Sequence, residues 1–300
     1  MIHIEYFTFN AFLERCSVVW DEEGNSAIID PGFYSPAERD ILFGFIESHR
    51  LTVRAILLTH GHFDHIYGVA EAAGYYNAPV YMHPADKVII DEANPALCPA
   101  FGLKTPEAFG GTSHQAPVND GTDAVSECSI SLNSCGTSHQ APVNDGTDAV
   151  SECSISLNSC GTSHQAPVND GTDAVSECSI SLNSCGTNHS VRPVKEGDTI
   201  SIGSLNFEVI ETPGHTPGGV CYLERTEKIL FSGDTLFAGS IGRTDNQWAD
   251  YDSLMSGIFG KLMELDGDIT VIPGHGPDTS IATERMTNPF LMPFNEPFEG

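Results

Sequence analysis

The segment Thr59-His60-Gly61-His62-Phe63-Asp64-His65 most constrains the fold, because it places four potential metal ligands within six residues. It follows the apolar run Val53 to Leu58, which is typical of a buried strand. His60 and His62 are two residues apart, so in an extended segment their side chains leave from the same side. The remaining carboxylate and imidazole follow where the strand gives way to a helix. The segment therefore predicts two imidazoles for one cation, and a carboxylate with an imidazole for a second.

Three later loops each present one polar side chain between glycines and prolines, at the predicted end of a strand. They are Pro213-Gly214-His215, Ser232-Gly233-Asp234 and Pro273-Gly274-His275. Glycine lets a backbone turn sharply and come close to an ion. No one of these loops is specific alone, but their combination with the histidine-rich segment is specific.

The pattern of apolar and polar residues in the rest of the chain predicts a group of strands, followed by strands that alternate with helices. This order occurs twice along the chain. This order favours an α/β fold with two sheets packed face to face and helices outside, a four-layered αββα sandwich. One short helix is predicted over Ala85–Ala93, and a turn region over Val191–Asp198. The pairing order of the strands does not follow from the sequence.

The polar positions of the segment and the three loops resemble the seven metal ligands of the metallo-β-lactamase superfamily of hydrolases. The resemblance covers about residues 1–109 and 191–300, and it implies the metallo-β-lactamase sandwich. It also implies two metal sites that share one carboxylate: His60, His62 and His215 bind one ion, Asp64, His65 and His275 bind the other, and Asp234 bridges them.

The resemblance implies two divalent ions as cofactors, with zinc expected before iron or manganese. In such sites the ions lie about 3.5–4 Å apart and share a hydroxide that attacks a carbonyl. Asp64 and Asp234 are then the carboxylates expected to take part in catalysis. Because two dications lower the pKa of water towards neutrality, no protein base and no Ser or Cys nucleophile is required.

Within the superfamily, the chain resembles the compact, single-domain enzymes of the glyoxalase II type, the hydroxyacylglutathione hydrolases. The implied reaction is hydrolysis of a small-molecule thioester, such as S-lactoylglutathione, to a hydroxy acid and a thiol. Besides the ligand motifs, the stretches that carry this resemblance are Thr235-Leu236-Phe237, Gly239-Ser240-Ile241-Gly242-Arg243-Thr244-Asp245, Gly276-Pro277 and Glu284 to Phe290.

Two alternatives stay open at this point. A persulfide dioxygenase shares the Gly242-Arg243-Thr244-Asp245 segment, but it uses one iron held by two histidines and an aspartate. A non-catalytic carrier or display scaffold for the repeated segment belongs to a different class of protein. A measurement of metal content distinguishes the persulfide dioxygenase from the hydrolase. A measurement of thioesterase activity distinguishes the non-catalytic carrier from the hydrolase.

Three further side chains have two interpretations each. Arg243 is the candidate to bind an anionic substrate, since cations are few, or it forms an ion pair with Asp245 or Asp250. Asp30 either orients a metal-bound histidine or is a turn residue before a proline. His83 ends a strand near the site, and a core or orienting role is expected for it rather than ligation.

The charge of the chain limits its partners. Its 13 basic and 41 acidic residues give a formal net charge of −28 at pH 7, so nucleic-acid binding is not expected. No apolar run approaches the roughly 20 residues of a membrane span, and the N-terminus does not resemble a signal peptide. We therefore expect no membrane partner and a cytoplasmic location. Cys16, Cys98 and Cys221 are expected to be small buried hydrophobes, and the oligomeric state is left open.

A 25-residue unit occurs three times without change, at 111–135, 136–160 and 161–185. It predicts an inserted tandem repeat over 110–190, within a hydrolase domain formed by 1–109 and 191–300. The units have few large apolar residues, so a poorly ordered insertion is expected rather than a small β-solenoid.

Overall fold

The computed structural model describes residues 1–109 and 190–292. The chain divides into one unit of Met1–His114 with Cys185–Gly300 and another of Gln115–Ser184. All three repeats lie outside the described residues. The prediction that they form a poorly ordered insertion concerns those residues and stays a prediction. The fold is therefore that of the first unit.

The first sheet contains six strands that neighbour one another in chain order. The second strand is antiparallel to the first and to the third, and the third to sixth are parallel. The strands are β1 (His3–Phe9), β2 (Glu14–Trp20), β3 (Asn25–Ile29), β4 (Thr52–Leu57), β5 (Val80–Met82) and β6 (Val191–Pro193).

Strand β6 corrects the predicted turn region at Val191–Asp198. Val191 pairs with Val80, and Pro193 pairs with Met82. β6 is the last strand of its sheet, and an edge position tolerates a proline that has no N–H to donate. A three-residue strand that contains a proline carries too little alternation to be recognised in the sequence.

The second sheet has the strand order β14-β13-β10-β9-β8-β7, and β11 and β12 form a separate small hairpin. β8 and β10 are both antiparallel to β9, and β10 is parallel to β13. The carboxyl ends of β8, β10 and β13 therefore lie at the same end of the sheet. These strands are β7 (Thr199–Ile202), β8 (Leu205–Glu211), β9 (Val220–Glu224), β10 (Ile229–Gly233), β11 (Leu236–Phe237), β12 (Ser240–Ile241), β13 (Thr270–Pro273) and β14 (Thr279–Ser280).

Helices connect these strands. The α-helices are α1 (Pro36–Ser48), α2 (Phe63–Ile66), α3 (Val69–Tyr76), α4 (Asn94–Leu97), α5 (Tyr251–Gly260) and α6 (Ile281–Thr287). The helix predicted over Ala85–Ala93 is instead a 3₁₀ turn at Pro84–Asp86 and a π-helical turn at Ile89–Ala93, followed by α4 and by another 3₁₀ turn at Cys98–Phe101. Prolines at positions 84, 95 and 99 interrupt the regular hydrogen bonds of this segment.

Three apolar clusters separate the layers of the fold. The central cluster joins the inner faces of both sheets through side chains such as Leu57 and Phe207. Ile56 points to the opposite face from its neighbour, as strand geometry requires, and belongs with Leu42 of α1 to a cluster that packs α1 and α3 on the first sheet. Leu254 of α5 belongs to the cluster on the other face of the second sheet. The predicted αββα arrangement is confirmed.

The predictions for the three cysteines are also confirmed. Cys16, Cys98 and Cys221 are buried and free. None of the helices in the described ranges has both the length and the apolar composition needed to cross a membrane. The cytoplasmic location stays a prediction.

Candidate metal centre

Four strand ends deliver the predicted ligands to one place. β4 of the first sheet runs into His60, while β8, β10 and β13 of the second sheet run into His215, Asp234 and His275. The two sheets are joined at this end, because the backbone N–H of Val220 donates to the carbonyl of Thr59 over 2.9 Å. Parallel neighbours β10 and β13 bring Asp234 and His275 to the same edge.

The first ligand group consists of His60, His62 and His215, whose ligating nitrogens all lie within 4.8 Å of one another. Nε2 of His215 is 2.9 Å from Nδ1 of His62. Burial lowers the pKa of His62 to about 3, and it lowers the pKa of His60 well below its usual value. Both rings are therefore neutral at pH 7, which is the form that binds a metal ion.

The second ligand group consists of Asp64, His65 and His275. Nε2 of His275 is 3.4 Å from Oδ2 of Asp64 and 3.2 Å from Nε2 of His65. Burial acts to raise the pKa of Asp64, but the nearby imidazoles of His65 and His275 outweigh it and hold that pKa below its usual value. The carboxylate is thus ionised at pH 7 and able to bind a cation.

Asp234 lies between the two groups. Its Oδ2 is 4.0 Å from Nε2 of His60 and 3.5 Å from Nε2 of His215, and its Oδ1 is 3.5 Å from Nε2 of His65. Oδ2 is also 3.7 Å from Nε2 of His275. One carboxylate therefore faces both groups, which is the geometry of a bridging ligand.

The residues present fit divalent cations. Nε2 of His60 and Oδ1 of Asp234 are buried and have no hydrogen-bond partner within the described parts of the chain. Such atoms cost free energy unless something pairs with them, and a cation at this place pairs with both. Imidazole and carboxylate ligands suit zinc, iron and manganese alike. Ligands held about 2.0–2.1 Å from one ion lie within about 4 Å of each other, so the observed separations need little adjustment.

Asp30 supports the second group from outside it. Its Oδ1 accepts a hydrogen bond from the backbone N–H of Thr59 over 2.8 Å, and its Oδ2 accepts one from the Thr59 hydroxyl over 2.5 Å. Oδ2 is also 3.1 Å from Nδ1 of His65. A carboxylate on the far nitrogen of an imidazole fixes the ring orientation and tautomer. Asp30 thus lies where it can orient His65. It also has the backbone conformation of a turn residue before Pro31, with a φ of 49°, so both interpretations of this residue agree with the structure.

Arg15 holds the loop of His275 at two points. Its backbone N–H donates to the carbonyl of Gly274 over 2.8 Å, and its guanidinium donates to the carbonyl of Gly276 over 2.5 Å. A Cβ atom at Gly274 would lie 2.5 Å from Oδ1 of Asp234. Only glycine therefore allows this loop to approach the bridging carboxylate so closely.

Arg243 makes two separate contacts. Its backbone carbonyl accepts a hydrogen bond from Nδ1 of His215 over 2.8 Å, which orients that ring. Its exposed guanidinium forms the expected ion pair with Asp245, over 2.7 and 2.9 Å. Asp250 instead caps α5 by accepting a hydrogen bond from the backbone of Ser253 over 2.7 Å. A contact between Arg243 and substrate stays a prediction.

His83 lies outside both ligand groups. Its Nε2 is 3.1 Å from Oε1 of Glu211, and its Nδ1 accepts a hydrogen bond from the backbone of Ala85 over 3.3 Å. These contacts place it at the start of the 3₁₀ turn after β5, where it ties β8 to that turn.

Comparison with known proteins identifies the family. The model of the metallo-beta-lactamase superfamily matches residues 11–104 and 183–275. The chain belongs to this superfamily. Its members bind divalent metals and are typically hydrolytic enzymes, which agrees with the ligand groups described above.

Individual relatives match almost the whole chain. The hydroxyacylglutathione hydrolase GloC of Haemophilus influenzae is 29% identical over 97% of this chain and 98% of its own length. The crystal structure of the BLEG-1 B3 metallo-beta-lactamase is 25% identical, with a TM-score of 0.64 over 97% of this chain and 100% of that one. The crystal structure of TTHA1623 in a di-iron-bound form is 27% identical, with a TM-score of 0.61 over 96% of this chain and 100% of that one.

The sequence analysis missed several residues that surround these ligands. Glu14 is buried next to the second group, and burial raises the pKa of its carboxyl well above the usual value. The ring of Phe63, which lies between two ligands in the sequence, packs on Phe12 with ring centres 5.0 Å apart, and Phe12 packs on Phe101 at 5.5 Å. Glu14 is the first residue of β2 and is followed by Arg15, so its local sequence gives no signal that it is buried. The aromatic contacts join distant segments and leave no local signal.

Proposed function

We propose that this protein is a binuclear metal-dependent thioesterase of the glyoxalase II type. Its substrates are hydroxyacyl thioesters of a small thiol such as glutathione. The observation that carries the proposal is the position of Asp234, whose two oxygens face two separate groups of metal ligands. The similarity to GloC over nearly the full length of both chains supports the substrate class, and the di-iron form of TTHA1623 supports two ions.

Two divalent ions bound by the seven side chains would lower the pKa of water towards neutrality and polarise the thioester carbonyl. The chain itself holds and orients the ligands for this purpose. Asp64 and Asp234 are the carboxylates proposed to take part in catalysis, because both are ligands and both face the imidazoles of the second group. The imidazoles of His60 and His62 remain neutral and available at pH 7, because burial lowers the pKa of both.

The chemistry of the leaving group suits this site. Hydrolysis adds water across the C–S bond and gives a hydroxy acid and a thiol. A thiol has a pKa of about 8.5, so it leaves as a thiolate and needs less help from a protein acid than an amine does. The excess of acidic residues in the chain also supports a small-molecule substrate over a nucleic acid.

The proposal is tested on the purified full-length chain. Metal content is measured by elemental analysis, and hydrolysis of S-lactoylglutathione is followed by release of free thiol. We expect two metal ions per chain and a thioesterase activity that is lost in the His62→Ala variant. His3→Ala is the matched control, because His3 is 39% exposed and pairs with Glu22 rather than with any ligand; it should retain full activity.

Two outcomes would overturn the proposal. One iron per chain, with oxygen uptake in the presence of a thiol persulfide and no thioester hydrolysis, identifies a persulfide dioxygenase. A metal-loaded chain that hydrolyses no member of a panel of hydroxyacyl thioesters supports the non-catalytic carrier instead.

A further inference from the structure

A third buried carboxylate next to the site belongs to neither ligand group. Asp86 is 1% exposed and lies in the 3₁₀ turn that follows β5. Its Oδ2 accepts hydrogen bonds from the backbone N–H of Gly61 over 2.7 Å and from the hydroxyl of Thr216 over 2.9 Å. Its Oδ1 accepts one from the backbone N–H of Gly218 over 2.5 Å. Three donors therefore converge on one side chain.

These donors belong to the two loops that carry the first ligand group. Gly61 lies between His60 and His62, and Thr216 directly follows His215. The loops come from different sheets, since β4 precedes the first loop and β8 precedes the second. Asp86 is thus a single acceptor that joins the loops of all three histidines.

The backbone packs closely around this carboxylate. A Cβ atom at Gly218 would lie 2.7 Å from the backbone nitrogen of Asp86, and one at Gly61 would lie 3.2 Å from its carbonyl oxygen. The carbonyl of Gly61 accepts a hydrogen bond from the buried side chain of Asn94 over 2.9 Å. Both polar groups of Gly61 are therefore held by one segment, residues 86–94.

We propose that Asp86 is a positioning residue, which fixes the spacing of the two loops and thereby sets the affinity of the first ligand group for its ion. The inference rests on the proposed two-ion function. Hydrogen bonds to an ionised acceptor are stronger than neutral ones, and removal of a buried acceptor leaves its donors unpaired. Nε2 of His215 and Nδ1 of His62 belong to different loops and lie 2.9 Å apart. To bind one ion, each atom must stay within about 0.2 Å of its proper distance from that ion. A small loop movement therefore has a large effect on binding.

The effect is expected to be confined to one ion. Asp30 contacts Nδ1 of His65 in the second group, whereas Gly61 and Thr216, two of the three donors to Asp86, adjoin histidines of the first group. Loss of Asp86 should therefore weaken binding by the first group and leave the second group unchanged. A residue needed only for overall folding would weaken both.

The experiment uses full-length chains in which one group has been disabled. His275→Ala leaves the first group to bind zinc, and His62→Ala leaves the second. Asp86→Asn is added to each, and zinc affinity is measured by competition with a chromophoric chelator. We expect a loss of about 10- to 100-fold in the His275→Ala background and a change of less than about threefold in the His62→Ala background.

Two further variants make the result decisive. Asp91→Asn is the control, because it removes the same charge from an exposed position that pairs with Lys87; it should change neither affinity. Thr216→Val removes one of the three hydrogen bonds and should cause a smaller loss in the same background, and this variant decides the matter if Asp86→Asn does not fold.

Unchanged zinc affinity in the His275→Ala background, or equal losses in both backgrounds, would overturn the inference. If the unmodified chain binds only one ion, the two-ion function fails. The role of Asp86 is then still measured by the first-group affinity, so the two failures are distinguishable.

Discussion

Replacement of Asp234 by asparagine tests whether one carboxylate serves both ligand groups. Oδ2 of Asp234 faces His60 and His215 of the first group, and Oδ1 faces His65 of the second at 3.5 Å. Asparagine keeps the size of the side chain and one oxygen, but its NH₂ group cannot bind a cation. If the remaining oxygen takes the place of Oδ1, the first group loses its oxygen ligand. If it takes the place of Oδ2, which also lies 3.7 Å from Nε2 of His275, the second group loses the closer of its two oxygens.

The magnitude follows from the number of ligands. Zinc sites with four protein ligands bind with about 10–16 kcal/mol, so one ligand contributes roughly 3 kcal/mol, or about 100-fold in Kd. An ion present at 100 times its Kd stabilises the fold by about 2.7 kcal/mol, and the same ion bound 100-fold more weakly stabilises it by only about 0.4 kcal/mol. For a domain of this size the difference corresponds to a loss of roughly 5–9 °C in the metal-dependent gain in Tm.

The assay is a zinc titration by chelator competition, together with thermal unfolding at matched free zinc. We expect two unequal binding constants in the Asp234→Asn variant, one near that of the unmodified chain and one about 100-fold weaker. Asp252→Asn, at an exposed position of α5, is the charge-matched control. Two unchanged constants would show that Asp234 binds neither ion, and equal weakening of both would show that it acts only through the fold.

Three further outcomes are expected. Deletion of residues 111–185 should leave metal content and thermal unfolding of the remaining chain intact, since all seven ligands lie outside the repeats; a chain that fails to fold would contradict this. Arg243→Ala should raise KM for an anionic thioester with little change in kcat, because alanine retains the backbone carbonyl that orients His215; a kcat loss as large as that of a ligand variant would contradict a role in substrate binding. Burial acts to raise the pKa of Asp21, but hydrogen bonds from Ser204 and Asn25 hold it below its usual value. Its contribution to stability is therefore present above about pH 4 and is lost as the pH falls through the folded-state pKa. Asp21→Asn should lower the free energy of unfolding by about 1–3 kcal/mol at pH 7 and by less at pH 3, measured by urea denaturation; a pH-independent difference would contradict the assignment.

The residues that form the two groups could be selected from the sequence because each one belongs to a local pattern, and the structure brings them together. His60 and His62 follow an apolar run that becomes β4, and Asp234 follows the run that becomes β10. Spacing within a strand and glycines in the next loop are properties of neighbouring residues, which a sequence displays directly. The four layers could be predicted for the same reason, since strands and helices alternate along the chain.

Side chains that hold the ligands in place could not be predicted in this way. Asp86 bonds to residues 25, 130 and 132 positions away, and Arg15 bonds to Gly276 across 261 positions. Their roles depend on which strands meet, and pairing order does not follow from local periodicity. In the sequence, Asp86 is therefore one aspartate among many acidic residues.

The proposed ligands bear on the type of reaction, whereas the side chains around them do not. The seven proposed ligands, with Asp234 between the two groups, support the proposed metal-assisted hydrolysis whatever the acyl group is. The aromatic side chains beside them come instead from distant segments, as Phe12, Phe63 and Phe101 illustrate. Phe63 connects the two sets, because it lies between His62 and Asp64 in the chain while its ring packs on Phe12. A change in that aromatic cluster is therefore expected to displace α2, which also carries Asp64 and His65, and a measurement of metal affinity beside KM tests this.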